Sequence, residues 1–253
     1  MEALIIFLSA GTLFIGGLTQ GMVGFGLGMV SVPLLSIFMD VKMAVPIATI
    51  FGWLITIPVV CKMYHYVQWK TAICMYLPAI IGVELGGNLL YSLNSGVILL
   101  IMGAVLFIVG GLTLIQRPIR VKNSLKSAGI CGFLSGVLGA TAGESGPPIV
   151  TYMNVLDWSA EKIKATMNFY FLLAMATVIF KIYRNGQITH DIAIITAWSL
   201  PAMLLGGLIG MSLFSWVQRK HFDAKKIMNT VLVVLGLMLI YKGIHLMNLI
   251  TTA

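Results

Sequence analysis

Two short sets of residues in this chain could hold a small anion without any basic side chain. The first is Gly24, Gly26, Gly28 and Ser31; the second is Gly139, Thr141, Gly143, Glu144 and Ser145. Glycine lets backbone come close to a ligand, and Ser31, Thr141 and Ser145 add hydroxyl donors. Pro33 follows the first set and Pro147-Pro148 the second. Proline suits the first turn of a helix, where its missing N–H costs nothing. We therefore expect a short helix to begin at each set. A helix that starts inside a membrane presents unpaired N–H groups and about half a positive charge, which is an anion site in itself. Two such tips meeting from opposite sides would grip an anion with several oxygens.

The two sets belong to one repeated sequence. Residues 17–33 read GLTQGMVGFGLGMVSVP and residues 132–148 read GFLSGVLGATAGESGPP. A shift of 115 residues lays Gly17, Gly21, Gly24, Gly28 and Pro33 on Gly132, Gly136, Gly139, Gly143 and Pro148. The copies differ where Thr141 stands opposite Gly26 and where Glu144-Ser145 follow Gly143. Gly17-xxx-Gly21 and Gly132-xxx-Gly136 have the small-xxx-small spacing of helix packing. The tip glycines admit that reading too, beside the ligand-binding one. In hydrocarbon, irregular backbone survives only where protein or a water-filled cavity covers it. Paired breaks in matching halves are a sequence pointer to a transporter's binding site.

The elements that must position these tips are membrane helices. The chain has 253 residues, 59% hydrophobic and 9% charged, with mean hydropathy +0.99. A soluble domain carries about 25% charged residues. The formal charge of +8 sits in short connections between apolar spans, so it does not indicate nucleic-acid binding. No basic run precedes the first apolar stretch, and no cleaved signal peptide is expected. Residues 3–39 as one helix would measure about 55 Å, against a hydrocarbon core of about 30 Å, so the stretch must break at its glycine cluster.

The expected fold is all-α and polytopic, with two inverted repeats. Residues 1–116 hold a broken hairpin (3–39, re-entrant or two short helices) and spans 43–61, 72–91 and 97–115. Residues 117–126 are a basic cytoplasmic linker. Residues 127–253 hold a second broken hairpin (127–156) and spans 165–180, 192–216 and 227–249. The run 78–82, PAIIG, corresponds to 201–206, PAMLLG, with one insertion. Charge favours this plan. If each broken stretch crossed once, nine Lys/Arg would be cytoplasmic and seven exterior. If each folds back and the N-terminus is outside, the count is twelve against four, the exterior four being Lys42, Lys181, Arg184 and Lys242. Only the second count obeys the positive-inside rule, and it places both termini outside.

Glu144 is an ionisable group in the second tip, where such a group is costly and functional by default. It could carry a proton coupled to the anion, or simply complement the half-helix dipole. Asn168 could donate into the cavity or bond between helices. Glu84 has no basic partner near it in sequence, which leaves protonation, a bond to Asn88 or pairing with another span. Lys181 and Arg184 could attract anions at the exterior mouth or be plain solvated ends. Cys61, Cys74 and Cys131 lack metal or disulfide spacing, and the four histidines are scattered. No P-loop, nucleophile–base pair or metal motif appears, so neither an enzyme nor a cofactor is expected.

Twin glycine-rich motifs, each ending in proline, around a basic central loop in a chain of this length resemble the sulfite exporter TauE/SafE family, also called TSUP. The resemblance covers nearly the whole chain. Its motif carries over onto Gly24, Gly26, Gly28 and Pro33, and onto Gly139, Gly143 and Pro148. It implies a multi-pass protein of the bacterial inner membrane. The implied activity is export, by alternating access, of a small sulfur anion: an organosulfonate such as sulfoacetate, or sulfite or thiosulfate. The rivals are an anion channel and a transporter of small non-sulfur carboxylates. The implied partners are that anion and the lipid bilayer, with a homodimer as one assembly open to it.

Overall fold

The computed structural model describes residues 2–115, 121–219 and 224–251. These form α1 (Glu2–Val23), α2 (Leu27–Leu35), α3 (Val41–Met63), α4 (Trp69–Ser92), α5 (Ser95–Leu114), α6 (Leu125–Ala142), α7 (Gly146–Met153), α8 (Ala160–Arg184), α9 (His190–Arg219) and α10 (Ala224–Thr251). One 3-10 turn, Tyr64–Tyr66, joins α3 to α4, and no strand occurs among the described residues. Arg117 and Arg120 of the expected linker, with Lys220 and His221, lie outside the described residues.

Eight helices, all but α2 and α7, are long and apolar enough to cross a membrane. The protein is a polytopic helical membrane protein. Each expected hairpin is one long arm and one short one: α1 with α2, and α6 with α7. The short arms have nine and eight residues, about 12–14 Å at 1.5 Å per residue, so they reach only part-way through a bilayer. Local sequence sets several starts. Asp40 caps α3 by accepting from the Lys42 N–H at 2.7 Å, and Asn94 caps α5 by accepting from the Gly96 N–H at 2.7 Å. Ser124 and Ser159 cap α6 and α8 in the same way. Each cap satisfies one of the four orphan N–H groups of a helix start.

The halves interlock by exchange. The first helix of each half packs on the third long helix of the other. A side chain at Gly17 or Gly21 of α1 would collide with the Met203 or Gly207 carbonyl of α9. One at Gly132 or Gly136 of α6 would collide with the Met75 or Ala79 carbonyl of α4. Both seams run parallel, because rising numbers on one helix meet rising numbers on the other. α5 and α10 instead run antiparallel, with Gly96 against Gly243 and Gly103 against Gly236. α4 and α8 run parallel: Trp69 meets Phe169, Tyr76 bonds Thr177, and Glu84 meets Lys181. With no hydrophobic effect between helices in lipid, close backbone approach at small residues supplies the attraction.

The seams differ in register. The match of 78–82 to 201–206 would set Gly17 near residue 199, as Gly132 sits on Met75. It sits on Met203 instead, about one helical turn further along.

The α5–α10 crossing is a direct test of glycine packing. Gly103→Leu should destabilise the protein by about 1–3 kcal/mol or more, the usual cost of overpacking. Gly111→Leu, in a helix position with nothing within 4 Å of its Cβ site, should not. Thermal melting of both variants in detergent gives the comparison.

Candidate functional site

The backbone breaks where glycine permits a positive φ. In the first hairpin these are Gly24 at φ 87° and Gly26 at φ 104°. In the second, the break is Gly143 at φ 70°, which closes α6: its N–H reaches the Gly139 carbonyl and the Glu144 N–H reaches Leu138. This is the usual left-handed helix terminus. Gly143 lies opposite Gly28, not opposite the glycines that break the first hairpin. Thr141 stands where Gly26 would be, and a Thr side chain disfavours that left-handed backbone. The helix therefore continues to the next glycine. Aligned by sequence, the two tips are offset by one turn in structure.

The consequence for the prolines is a correction. Pro147 and Pro148 fall in the first turn of α7, as expected. Pro33 is the seventh residue of α2 rather than in its first turn, because Gly26 starts that helix earlier.

Two residues that the sequence motif did not single out secure the tips. The Gln20 Oε1 accepts from the Leu27 N–H at 3.1 Å, and its Nε2 donates to the Gly24 carbonyl at 3.4 Å. Ser135 donates its hydroxyl to the Ser145 carbonyl at 2.5 Å. The shift of 115 residues superposes Gln20 on Ser135, so the same position in each long arm ties down the returning chain. The signal was available: Gln20 is the lone amide in residues 3–39. Asn168 of α8 adds a bond across the halves, donating to the Gly24 carbonyl at 3.4 Å and to its own helix at Lys164 at 2.8 Å. The Lys164 stem lies over Gly24.

The tips meet. A Cβ on Gly28 would strike the Gly143 carbonyl, and one on Gly143 would lie 2.7 Å from Val32. Between them is a cavity of about 20 Å³, lined by 25–29 and 143–146 with Gln20, Gly52, Phe171 and Met175. That is room for about one water. No basic side chain lines it. Gly28, Met29, Ser145 and Gly146 have N–H groups with no partner among the described residues. Glu144 is 1% exposed, and neither of its carboxylate oxygens has a hydrogen-bond partner among the described residues.

Of the sequence-predicted residues, Gly26, Gly28, Gly143, Glu144 and Ser145 come together on this cavity. Others sit behind it. Ser31 is fully buried against Gly16 inside the first hairpin, its hydroxyl unpartnered. Thr141 donates to the Gly86 carbonyl of α4 at 3.0 Å. Gly139 makes room for the Ser145 side chain, while Gly24 serves as the acceptor for Gln20 and Asn168. No His/Cys/Asp/Glu group capable of holding a metal occurs among the described residues.

If Gln20 holds the first tip, Gln20→Leu leaves the buried Leu27 N–H without a partner, at about 1–3 kcal/mol, and the Gly24 carbonyl with Asn168 alone. A clear drop in melting temperature in detergent is expected. Thr113→Val, which removes an exposed hydroxyl bonded within its own helix, should leave melting unchanged.

Comparison with known proteins identifies the family. No curated protein and no solved structure matched the chain. Residues 9–239 match the family described as sulfite exporter TauE/SafE. That match takes in both tips and the long helices from residue 9 of α1 to residue 239 of α10. The family is one of membrane transporters of sulfite and related anions, and the chain belongs to it.

Proposed function

We propose that the protein is a secondary transporter that exports a small sulfur anion, an organosulfonate or sulfite or thiosulfate, by alternating access at the two meeting tips. The observation that carries the reading is the cavity between Gly28 and Gly143. It is enclosed by two half-helix starts with free N–H groups and has no cation in its wall. Such donors complement an anion without the several kcal/mol that a buried Lys or Arg costs. A cavity for about one water is too small for an oxyanion of sulfur, so this is a closed state and the tips must part to load.

Inverted halves are part of the reading, with the chain in a bacterial inner membrane and both termini periplasmic. Eight successive crossings would run α5 and α10 in the same sense and α4 and α8 in opposite senses. The helices do the reverse of both, which suits hairpins that fold back. The one-turn difference between the α1–α9 and α4–α6 seams gives the halves the unlike registers that alternating access would exchange.

We assign proton coupling to Glu144. A second negative charge beside the bound anion would cost binding unless a proton neutralised it. Protonated, the carboxyl donates to the anion and helps hold it.

The experiment is charge movement by purified protein in liposomes on a solid-supported membrane. Sulfite, thiosulfate, sulfoacetate, sulfate and simple carboxylates are applied at two pH values, with radiolabel uptake to catch electroneutral transport. A saturable response to a sulfur anion is expected. Gly28→Val with Gly143→Val should abolish it, while Gly11→Val, in open space, should not. Glu144→Gln should retain binding and lose its pH dependence. Transport that survives the double glycine change would sink the tip reading.

A further inference from the structure

Lys181 lies in the last turn of α8 and is 5% exposed. Its Nζ donates to Glu84 of α4 at 2.5 Å, and Arg184 donates to both Glu84 oxygens at 2.8 and 3.0 Å. These cations are therefore not the solvated ends their sequence position allowed. Two cations share one carboxylate, so the cluster keeps a net positive charge. The Lys181 stem crosses α4 over Gly87, where a Cβ would lie 2.9 Å from its Cγ. The neighbouring Gly86 carbonyl anchors Thr141, two residues before the Gly143 tip. The cluster thus adjoins the backbone that supports the binding cavity. The Glu84 and Arg184 side chains are 44% and 52% exposed. Half-exposed charges amid apolar helices face water rather than lipid, so the cluster opens onto an aqueous mouth.

The other end of the molecule lacks this arrangement. Counted from the starts of α3 and α8, Lys62 holds the place of Lys181. It is exposed and has no carboxylate partner among the described residues. One end of the molecule carries an ion pair at this place and its counterpart does not.

We infer that Lys181 and Arg184 form a second anion site, at the mouth through which the substrate leaves, and that Glu84 occupies it as a tethered substitute while that mouth is closed. The inference rests on the anion-transport reading. A carboxylate and a sulfur oxyanion both offer Arg adjacent negative oxygens for paired hydrogen bonds. A departing anion displaces Glu84, the cations keep an anionic partner throughout, and this tie between α8 and α4 is released.

The test is equilibrium dialysis of the full-length protein in detergent against radiolabelled thiosulfate and sulfite, with melting recorded alongside. Wild type should bind one anion and Glu84→Gln should bind two. Glu84→Gln with Arg184→Gln should weaken the second site by about tenfold or more. An E84Q protein that melts as a folded species and still binds one anion overturns the inference. Should E84Q be too unstable to purify, Glu84→Asp withdraws the oxygens by one methylene and keeps the charge. It should show the second site at reduced affinity, and a stoichiometry of one overturns the inference as well. A wild type that binds nothing while E84Q binds one anion would leave the exit site standing and remove the tip site. No binding to either protein overturns both.

Discussion

The Gly143 carbonyl rests against the Cα of Gly28, and the rest of the molecule is arranged around that contact. Broken backbone is intolerable in hydrocarbon unless something covers it. Here each break is covered by the other. The contact excludes any side chain at Gly28 and leaves the half-helix starts facing one small cavity. The two hairpins reach this contact on long arms packed against distant helices. α1 reaches its place along α9, and α6 reaches its place along α4, on seams where glycine lets the backbones nearly touch.

Hydrogen bonds hold the tips in addition to the apolar packing of α2 and α7. Gln20 and Ser135 hold corresponding turns, and Asn168 ties the first tip to α8 of the other half. Thr141 ties the second tip to α4. Each bond is local to a tip, and two of them cross between halves. α4 and α8 are thus each bonded directly to a hairpin tip, as the alternating mechanism proposed above would use. Among the unpartnered buried atoms in this region are the Glu144 oxygens, the Asn168 Oδ1 and the Ser31 hydroxyl.

Much of this was legible in the chain because glycine, proline and hydropathy speak about backbone directly. Two breaks in long apolar runs, the packing role of Gly17, Gly21, Gly132 and Gly136, and the helical membrane class all follow from local residue types. The exact break points did not. Alignment sets Gly28 opposite Gly143, yet only Gly143 takes a positive φ, since the first hairpin turns earlier, at Gly24 and Gly26. The substitution of Thr141 for Gly26 held that information, but one residue difference between repeats does not say which glycine takes the positive φ. Gln20 escaped notice for a different reason: a single amide in an apolar helix carries no motif. Glu84 and Lys181 are 97 residues apart, and no local pattern announces a contact across that separation.

The distribution of charge completes the argument. Among the described residues, Glu144 and Lys181 are the buried acidic and basic side chains, and they sit in opposite circumstances. Lys181 is matched by a carboxylate within hydrogen-bonding distance, so its burial costs little. Glu144 is matched by nothing, in a cavity whose positive character comes only from backbone dipoles. The ion pair accounts for the burial of Lys181, but no partner accounts for the burial of Glu144. On the transport reading proposed above, the asymmetry gives Glu144 a role at the tip, as a group free to gain a partner when the cavity fills. A cavity walled by dipoles has no charge of its own to release when the anion departs. The unmatched carboxyl is therefore the component of the site best able to make occupancy depend on a second ion.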